Sequence, residues 1–170
     1  MIGTNSKNGF LTGIWGPLLW TFLHIISFNY PENPTQKDKN EYYNFIISLK
    51  YILPCKYCRE NVTKNLKTIK FNKSSMKNRD TFSQAIYKLH EEVNKMLCKK
   101  SNLTYIDVKN TYENFRAKCS DNLKSTNSKI EKGCRKSLHN NISKPKCQIN
   151  IIPAKSNKPS LKISKKCMTK

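Results

Sequence analysis

The sequence predicts an all-α protein: a four-helix bundle with a short fifth helix, followed by a basic, mostly disordered C-terminal tail. Three observations carry that expectation. Four segments repeat apolar residues at helical spacing over several turns, no stretch alternates apolar and polar residues between turn signals, and the connections between the periodic segments are short.

Residues 1–13 are polar and rich in Gly and Asn, and are expected to be flexible. Order is expected near Ile14, where Trp15-Gly16-Pro17 leads into an apolar segment and Pro17 suits the first turn of a helix. From Leu18 to about Tyr30, Leu19, Trp20, Phe22, Leu23 and Ile26 recur at helical spacing, and Pro31 and Pro34 end the run. A second helix from about Gln36 to Leu53 carries Tyr42, Phe45, Ile46, Leu49 and Ile52 on one stripe, and Pro54 interrupts it. A third runs from Cys55 to about Ile69 through Cys58, Val62 and Leu66, and a polar loop follows. The fourth is capped by Asp80 or Thr81 and continues through Phe82, Ile86, Leu89, Val93 and Leu97. A weaker pattern from Tyr105 to Phe115 adds the short fifth. The folded domain is therefore placed at 14–118. In 119–170 the aromatics disappear while Lys, Ser and Asn dominate, leaving too little apolar area to offset chain entropy.

The net charge of +21 on 170 residues is uneven. Residues 1–116 hold 18 Lys and Arg against 9 Asp and Glu, whereas 117–170 hold 14 against 2. Such a tail predicts non-specific polyanion binding and says little about chemistry. The apolar runs near Leu18–Phe28 and Phe45–Leu53 are too short and too interrupted to span a bilayer. The N-terminus lacks the layout of a signal peptide, so a non-secreted protein is expected. Seven cysteines in such a chain favour redox or metal chemistry over a secreted disulfide framework.

Cys55 and Cys58 form a Cys-X-X-Cys pair directly after Pro54. Cysteines one turn apart at a helix start can close an exchangeable disulfide, because unpaired N–H groups and the helix dipole favour a thiolate there, and Lys56 and Arg59 add positive charge. Zinc is the competing reading, with Cys55, Cys58, His90 and Cys98 as ligand types. His90 and Cys98, however, lie eight residues apart on one helix, roughly 12 Å along its axis, too far to share an ion. Trp20 with His24, and His90 with Asn94, are i, i+4 pairs on otherwise apolar stripes. Taken one at a time, each is more often a core residue than a ligand contact. Together with the dithiol they describe a bundle mouth suited to a flat aromatic cofactor.

At these residues the sequence resembles the Erv/ALR family of FAD-linked sulfhydryl oxidases, in the form found in large DNA viruses. Trp15-Gly16-Pro17-Leu18-Leu19-Trp20-Thr21-Phe22-Leu23-His24, Leu53-Pro54-Cys55-Lys56-Tyr57-Cys58 and Leu89-His90-Glu91-Glu92-Val93-Asn94 carry the resemblance, in the family's order, across residues 14–116. It implies a bundle enclosing FAD, with Gly16, Trp20, His24, Tyr57, Cys58, His90, Val93, Asn94 and Lys99 as cofactor contacts. It implies Cys55 and Cys58 as the catalytic pair: substrate thiols exchange with Cys55, Cys58 lies beside the flavin, and oxygen is the final acceptor, giving hydrogen peroxide. Protein thiols as substrates and a homodimer follow from the same resemblance, with host cytoplasm, virus factory or virion as the expected location.

Several positions depart from the family pattern. A structural disulfide common in the family would fall near Phe82 and Thr104, Cys98 stands where Gly is usual, and Glu91 replaces a common Asn. A second, shuttle pair could come only from Cys119, Cys134, Cys147 and Cys167. The alternative function is a basic nucleic-acid-binding or virion-assembly module without flavin. A thioredoxin-like enzyme would need strands around the Cys-X-X-Cys.

Overall fold

The computed structural model describes residues 9–124, 130–138, 149–151 and 161–163. Five α-helices come first: α1 Thr12–Phe28, α2 Gln36–Ile52, α3 Lys56–Thr68, α4 Arg79–Met96 and α5 Tyr105–Glu113, with a 3₁₀ turn at Lys73–Met76. These helices make up one unit that ends at Glu113. The expected all-α bundle with a short fifth helix is what forms.

The boundaries show where local chemistry overrides periodicity. The first helix starts at Thr12, so Pro17 lies within it instead of in its first turn. Thr35 caps α2 in a reciprocal box with Asp38, which satisfies two of the amides a helix start leaves unpaired. The cap of α4 is Asn78, not Asp80 or Thr81: its side chain accepts from the Thr81 amide at 2.9 Å while Thr81 Oγ1 accepts from the Asn78 amide at 3.1 Å. The loop expected after α3 contains buried structure, because Met76 is fully enclosed and its carbonyl accepts a 3.0 Å hydrogen bond from Tyr30 Oη.

Leu23, Tyr30, Ile46, Leu49, Leu66, Met76, Phe82, Ile86 and Leu89 form the core shared by the first four helices. Tyr30, Tyr42 and Phe82 meet edge to face at centroid separations of 4.8 to 5.8 Å, a geometry that adds to plain area burial. The position near Phe82, where family members carry a cysteine, is thus occupied by a fully buried ring. Thr104 instead caps α5, accepting from the Asp107 amide and donating to the Asp107 carboxylate. The fifth helix is fastened without a covalent bond. Tyr105 Oη donates to Asp80 at 2.9 Å and meets Ser83 Oγ at 2.8 Å, Lys109 pairs with Asp80 at 3.6 Å, and Tyr87 Oη donates to the Leu103 carbonyl.

A second unit starts at Asn114. Within it, β1 Ala117–Lys124 pairs antiparallel with β2 Ile130–Ser137, and β3 Ile149–Ile151 with β4 Leu161–Ile163. At these described positions the chain forms paired strands for which the sequence showed no sustained alternation. A two-stranded ladder satisfies its own backbone groups and needs no helix-sized apolar face, so scarcity of apolar residues did not exclude it. In the register Cys119 lies opposite Cys134, and Cys134 is disulfide-bonded. Cys147 and Cys167 lie outside the described residues.

Candidate active site

Pro54 stops α2, and the chain re-enters a helix two residues later. Cys55 is the N-cap of α3, with extended φ and ψ of −145° and 120°, instead of a member of its first turn. That conformation brings Cys55 Sγ to 3.2 Å from the Cys58 amide, which donates to it. Cys55 and Cys58 are joined by a disulfide with their Cα atoms 5.1 Å apart. An N–H aimed at the Cys55 sulfur from the positive end of a helix stabilises the thiolate that forms when the bond is reduced. Cys58 is half-buried and packs against the core cluster, as Trp15, Leu19 and Trp20 do. Tyr57, between the two cysteines, is 73% exposed.

The carbonyls of the turn are tied down one after another. The Arg59 guanidinium donates to the Leu53 carbonyl at 2.5 Å, Phe10 N–H to the Pro54 carbonyl at 3.0 Å, and Arg59 N–H to the Cys55 carbonyl at 3.0 Å.

A second cluster joins α1, α4 and α5. The Trp20 indole stacks on His90 with centroids 4.0 Å apart and planes 7° from parallel. His24 Nε2 and His90 Nδ1 lie 3.0 Å apart in a hydrogen bond, in which one ring nitrogen donates its N–H and the other accepts, so the accepting ring is neutral. His24 is buried, and burial, reinforced by repulsion from His90, lowers its pKa to about 4. Burial also lowers that of His90, with Glu91 opposing. Both imidazoles are therefore neutral at physiological pH. His24 Nδ1 is buried and has no hydrogen-bond partner, an arrangement that natural interiors rarely leave uncompensated.

Gly16 precedes Trp20 by one turn and His24 by two, so the three fall along one strip of α1. A Cβ at Gly16 would meet nothing within 4 Å, so the helix surface beside the Trp20 ring stands open. Val93 and Asn94 are half-buried on the turn of α4 after His90. Asn94 Nδ2 donates to Glu91 Oε1 at 2.9 Å, so the acid that departs from the family pattern orients the amide. Lys99 is exposed; with Lys95, Cys98 and Lys100 it lines a cavity beside Tyr87 and Tyr105. Cys98 is a free, exposed thiol with φ of 54°. That left-handed conformation favours glycine, which gives a backbone reason for Gly at this position in the family.

Of the residues singled out from sequence, the structure thus brings Trp20, His24 and His90 into direct contact, pairs Cys55 with Cys58, and leaves Tyr57 and Lys99 facing solvent. Tyr112 was missed. Its ring stacks on His24 at 4.9 Å and on Phe28 at 5.8 Å, and its hydroxyl bonds with Thr21. Its place on the weakest helical pattern hid it, and only its i, i+4 relation to the apolar Val108 pointed inward.

The open face beside Gly16, the parallel rings of Trp20 and His90 and the orphaned His24 nitrogen suit a flat aromatic group carrying hydrogen-bonding heteroatoms. FAD fits that description.

The profile of the Erv1 / Alr family matches residues 17–118. A probable FAD-linked sulfhydryl oxidase of Acanthamoeba polyphaga mimivirus is 37% identical over 91 residues, covering 54% of this chain and 63% of the relative. An FAD-linked sulfhydryl oxidase of African swine fever virus is 31% identical over 99 residues, covering 58% of this chain and 80% of the relative. Among solved structures, the FAD binding domain of Erv1 from Saccharomyces cerevisiae aligns with a TM-score of 0.54 at 25% identity, covering 61% of this chain and 94% of that one. The yeast Erv1 core aligns with a TM-score of 0.55 at 24% identity, covering 64% and 90%. The chain thus spans just under two thirds of the mimivirus relative's length.

Proposed function

The chain belongs to the Erv1/Alr family, and from that premise we propose that it is an FAD-linked sulfhydryl oxidase that makes disulfide bonds in protein thiols through Cys55 and Cys58. The observation that carries this reading is the Cys55–Cys58 disulfide at the start of α3, with both cysteines half-buried and Cys58 packed against the core.

A substrate thiolate attacks Cys55 Sγ, the Cys55–Cys58 bond breaks, and Cys58 leaves as the thiolate. A second substrate thiol attacks the mixed disulfide, which releases the oxidised substrate and leaves Cys55 and Cys58 reduced. The Cys58 amide, which donates to Cys55 Sγ, stabilises the Cys55 thiolate released in this second step. FAD, when bound, supplies the acceptor for the two electrons released as the Cys55–Cys58 bond re-forms, with oxygen as the onward oxidant giving hydrogen peroxide. Gly16, Trp20, His24, His90, Val93 and Asn94 bind and orient that group, Tyr57 and Lys99 add contacts from the exposed side, and Tyr112 holds the His24 ring in place.

A homodimer accompanies this reading. Leu11, Ile14, Leu18, Phe22 and Ile25 recur every three or four residues along the outer side of α1 and are 43% to 74% exposed, a continuous apolar stripe that a second copy would cover. Among the described residues no helix is long and apolar enough to cross a membrane. We extend the proposal to action in the cytoplasm or virus factory of an infected cell, or in the virion, on the ground that two relatives belong to large DNA viruses. Polyanion binding by the basic residues after 117 is a by-product of charge.

The test uses the flavin-loaded protein and oxygen uptake with a dithiol substrate. Cys55→Ser and Cys58→Ser are expected to abolish uptake while each retains a flavin band of about one equivalent per chain. A Cys58→Ser protein that still consumes oxygen would remove the mechanism, and a protein that cannot take up FAD would turn the argument toward the binding module.

A further inference from the structure

Residues 9–10 fall in the stretch that sequence reading assigns to a flexible N-terminus, yet the structure docks them on the redox turn. Phe10 N–H donates to the Pro54 carbonyl at 3.0 Å. The Phe10 carbonyl in turn accepts from Trp15 Nε1 at 3.1 Å, and the Trp15 ring is packed against the core. A Cβ on Gly9 would lie 2.4 Å from the Pro54 carbonyl oxygen and 3.4 Å from Cys55 Cα. The obstructing atom is backbone and cannot swing aside, so the close approach requires glycine. A continuous path therefore runs from the core through Trp15 and Phe10 to the peptide unit that leads into Cys55.

We propose that Gly9 and Phe10 form a strap, buttressed by the Trp15 indole, that positions the Pro54–Cys55 turn and thereby sets the reactivity of the Cys55 thiolate. Cys55 Sγ meets the Cys58 amide only while Cys55 keeps its extended N-cap conformation. That conformation is fixed on one side by α3 and on the other by the orientation of the Pro54 carbonyl, which the strap holds. With the strap lifted, the turn gains freedom, the sulfur leaves the amide for part of the time, and the thiolate loses a charge-assisted hydrogen bond. Trp15, Gly9 and the Phe10 backbone are positioning groups, acting through Cys55 without touching substrate. The Phe10 side chain, 78% exposed, is not required. The proposal rests on Cys55 being the exchanging sulfur of the proposed oxidase.

The test measures alkylation of Cys55 by iodoacetamide against pH in the full-length, flavin-loaded Cys58→Ser protein, with the modified peptide identified by mass spectrometry. That background leaves the residue 58 amide in place and makes the readout independent of turnover. Adding Gly9→Ala or Trp15→Phe is expected to slow Cys55 alkylation at neutral pH by about tenfold, the equivalent of one hydrogen bond to a charged group, and to move the profile to higher pH. Phe10→Ala, which keeps both backbone bonds, is expected to match the parent. Gly9→Ala and Trp15→Phe both within about twofold of the parent, or Phe10→Ala as slow as Gly9→Ala, would overturn the strap. Should Cys55→Ser still oxidise dithiols, the oxidase reading fails on that result alone, while the alkylation profiles still decide whether the strap acts on Cys55.

Discussion

Acidification provides a direct probe of the buried imidazole pair. His24 is 2% exposed, and its pKa in the folded protein is lowered from 6.5 to about 4, first by burial and then by repulsion from His90. As pH falls the unfolded chain takes up this proton before the folded protein does. Stability is therefore unaffected above the ordinary histidine range and declines progressively between about 6.5 and about 4. At about 1.36 kcal/mol per pKa unit the full penalty is on the order of 3 kcal/mol, of which about 2 kcal/mol is realised on going from pH 7.5 to 5. His90 is shifted in the same direction and adds to the loss. Asp38 and Asp107 are held below the usual carboxylate range by hydrogen bonds from Thr35 and Thr104, so their contributions are lost at lower pH and do not confuse this window.

Urea unfolding followed by the far-ultraviolet helix signal, at several pH values between 7.5 and 5 and a fixed excess of FAD, gives the slope of stability against pH. His24→Gln keeps a hydrogen-bonding partner for His90 but has no proton to gain, and its curve is expected to be flatter than wild type by about 2 kcal/mol over the same interval. The absolute stability of the variant does not matter, because only the slope is compared. Parallel curves for the two proteins would refute the reasoning, since they would mean that His24 titrates normally in the folded state and is not the buried neutral partner the geometry describes.

Two further outcomes are expected. Cys98→Gly relieves a side chain held at φ 54° and should raise the unfolding free energy by about 1 kcal/mol in urea titration; a destabilised variant would show that Cys98 makes a contact worth more than its backbone strain. Leu18→Glu places a charge in the middle of the exposed stripe of α1 and should convert a dimer to a monomer in sedimentation velocity, with flavin content unchanged; a wild-type protein that is already monomeric would remove the dimer from the reading.

The helices were legible because each spends its apolar residues at one period: α2 and α4 could be read almost to their ends from Phe45, Ile46 and Leu49 and from Phe82, Ile86 and Leu89. Their caps were less so, since Asp80 and Thr81 are as good on paper as Asn78, and the choice is made by a reciprocal pair of hydrogen bonds that only the folded turn can form. The site divides in the same way. Cys55, Cys58, Trp20, His24 and His90 announce themselves because a dithiol after proline and polar rings on apolar stripes conflict with local expectation, and such conflicts mark function. Tyr112 and the Gly9–Phe10 strap conflict with nothing: a tyrosine on a short helix and a glycine before the first helix are what an ordinary surface would carry. Their significance lies in a ring stacked on a residue 88 positions earlier in the chain and in a backbone amide that reaches the Pro54 carbonyl. Long-range contacts of this kind leave no periodic trace in the chain that makes them. The parts of such a site most open to being missed are therefore those that act on the reactive groups from behind, and those are the parts in which substitutions should change reactivity without removing it.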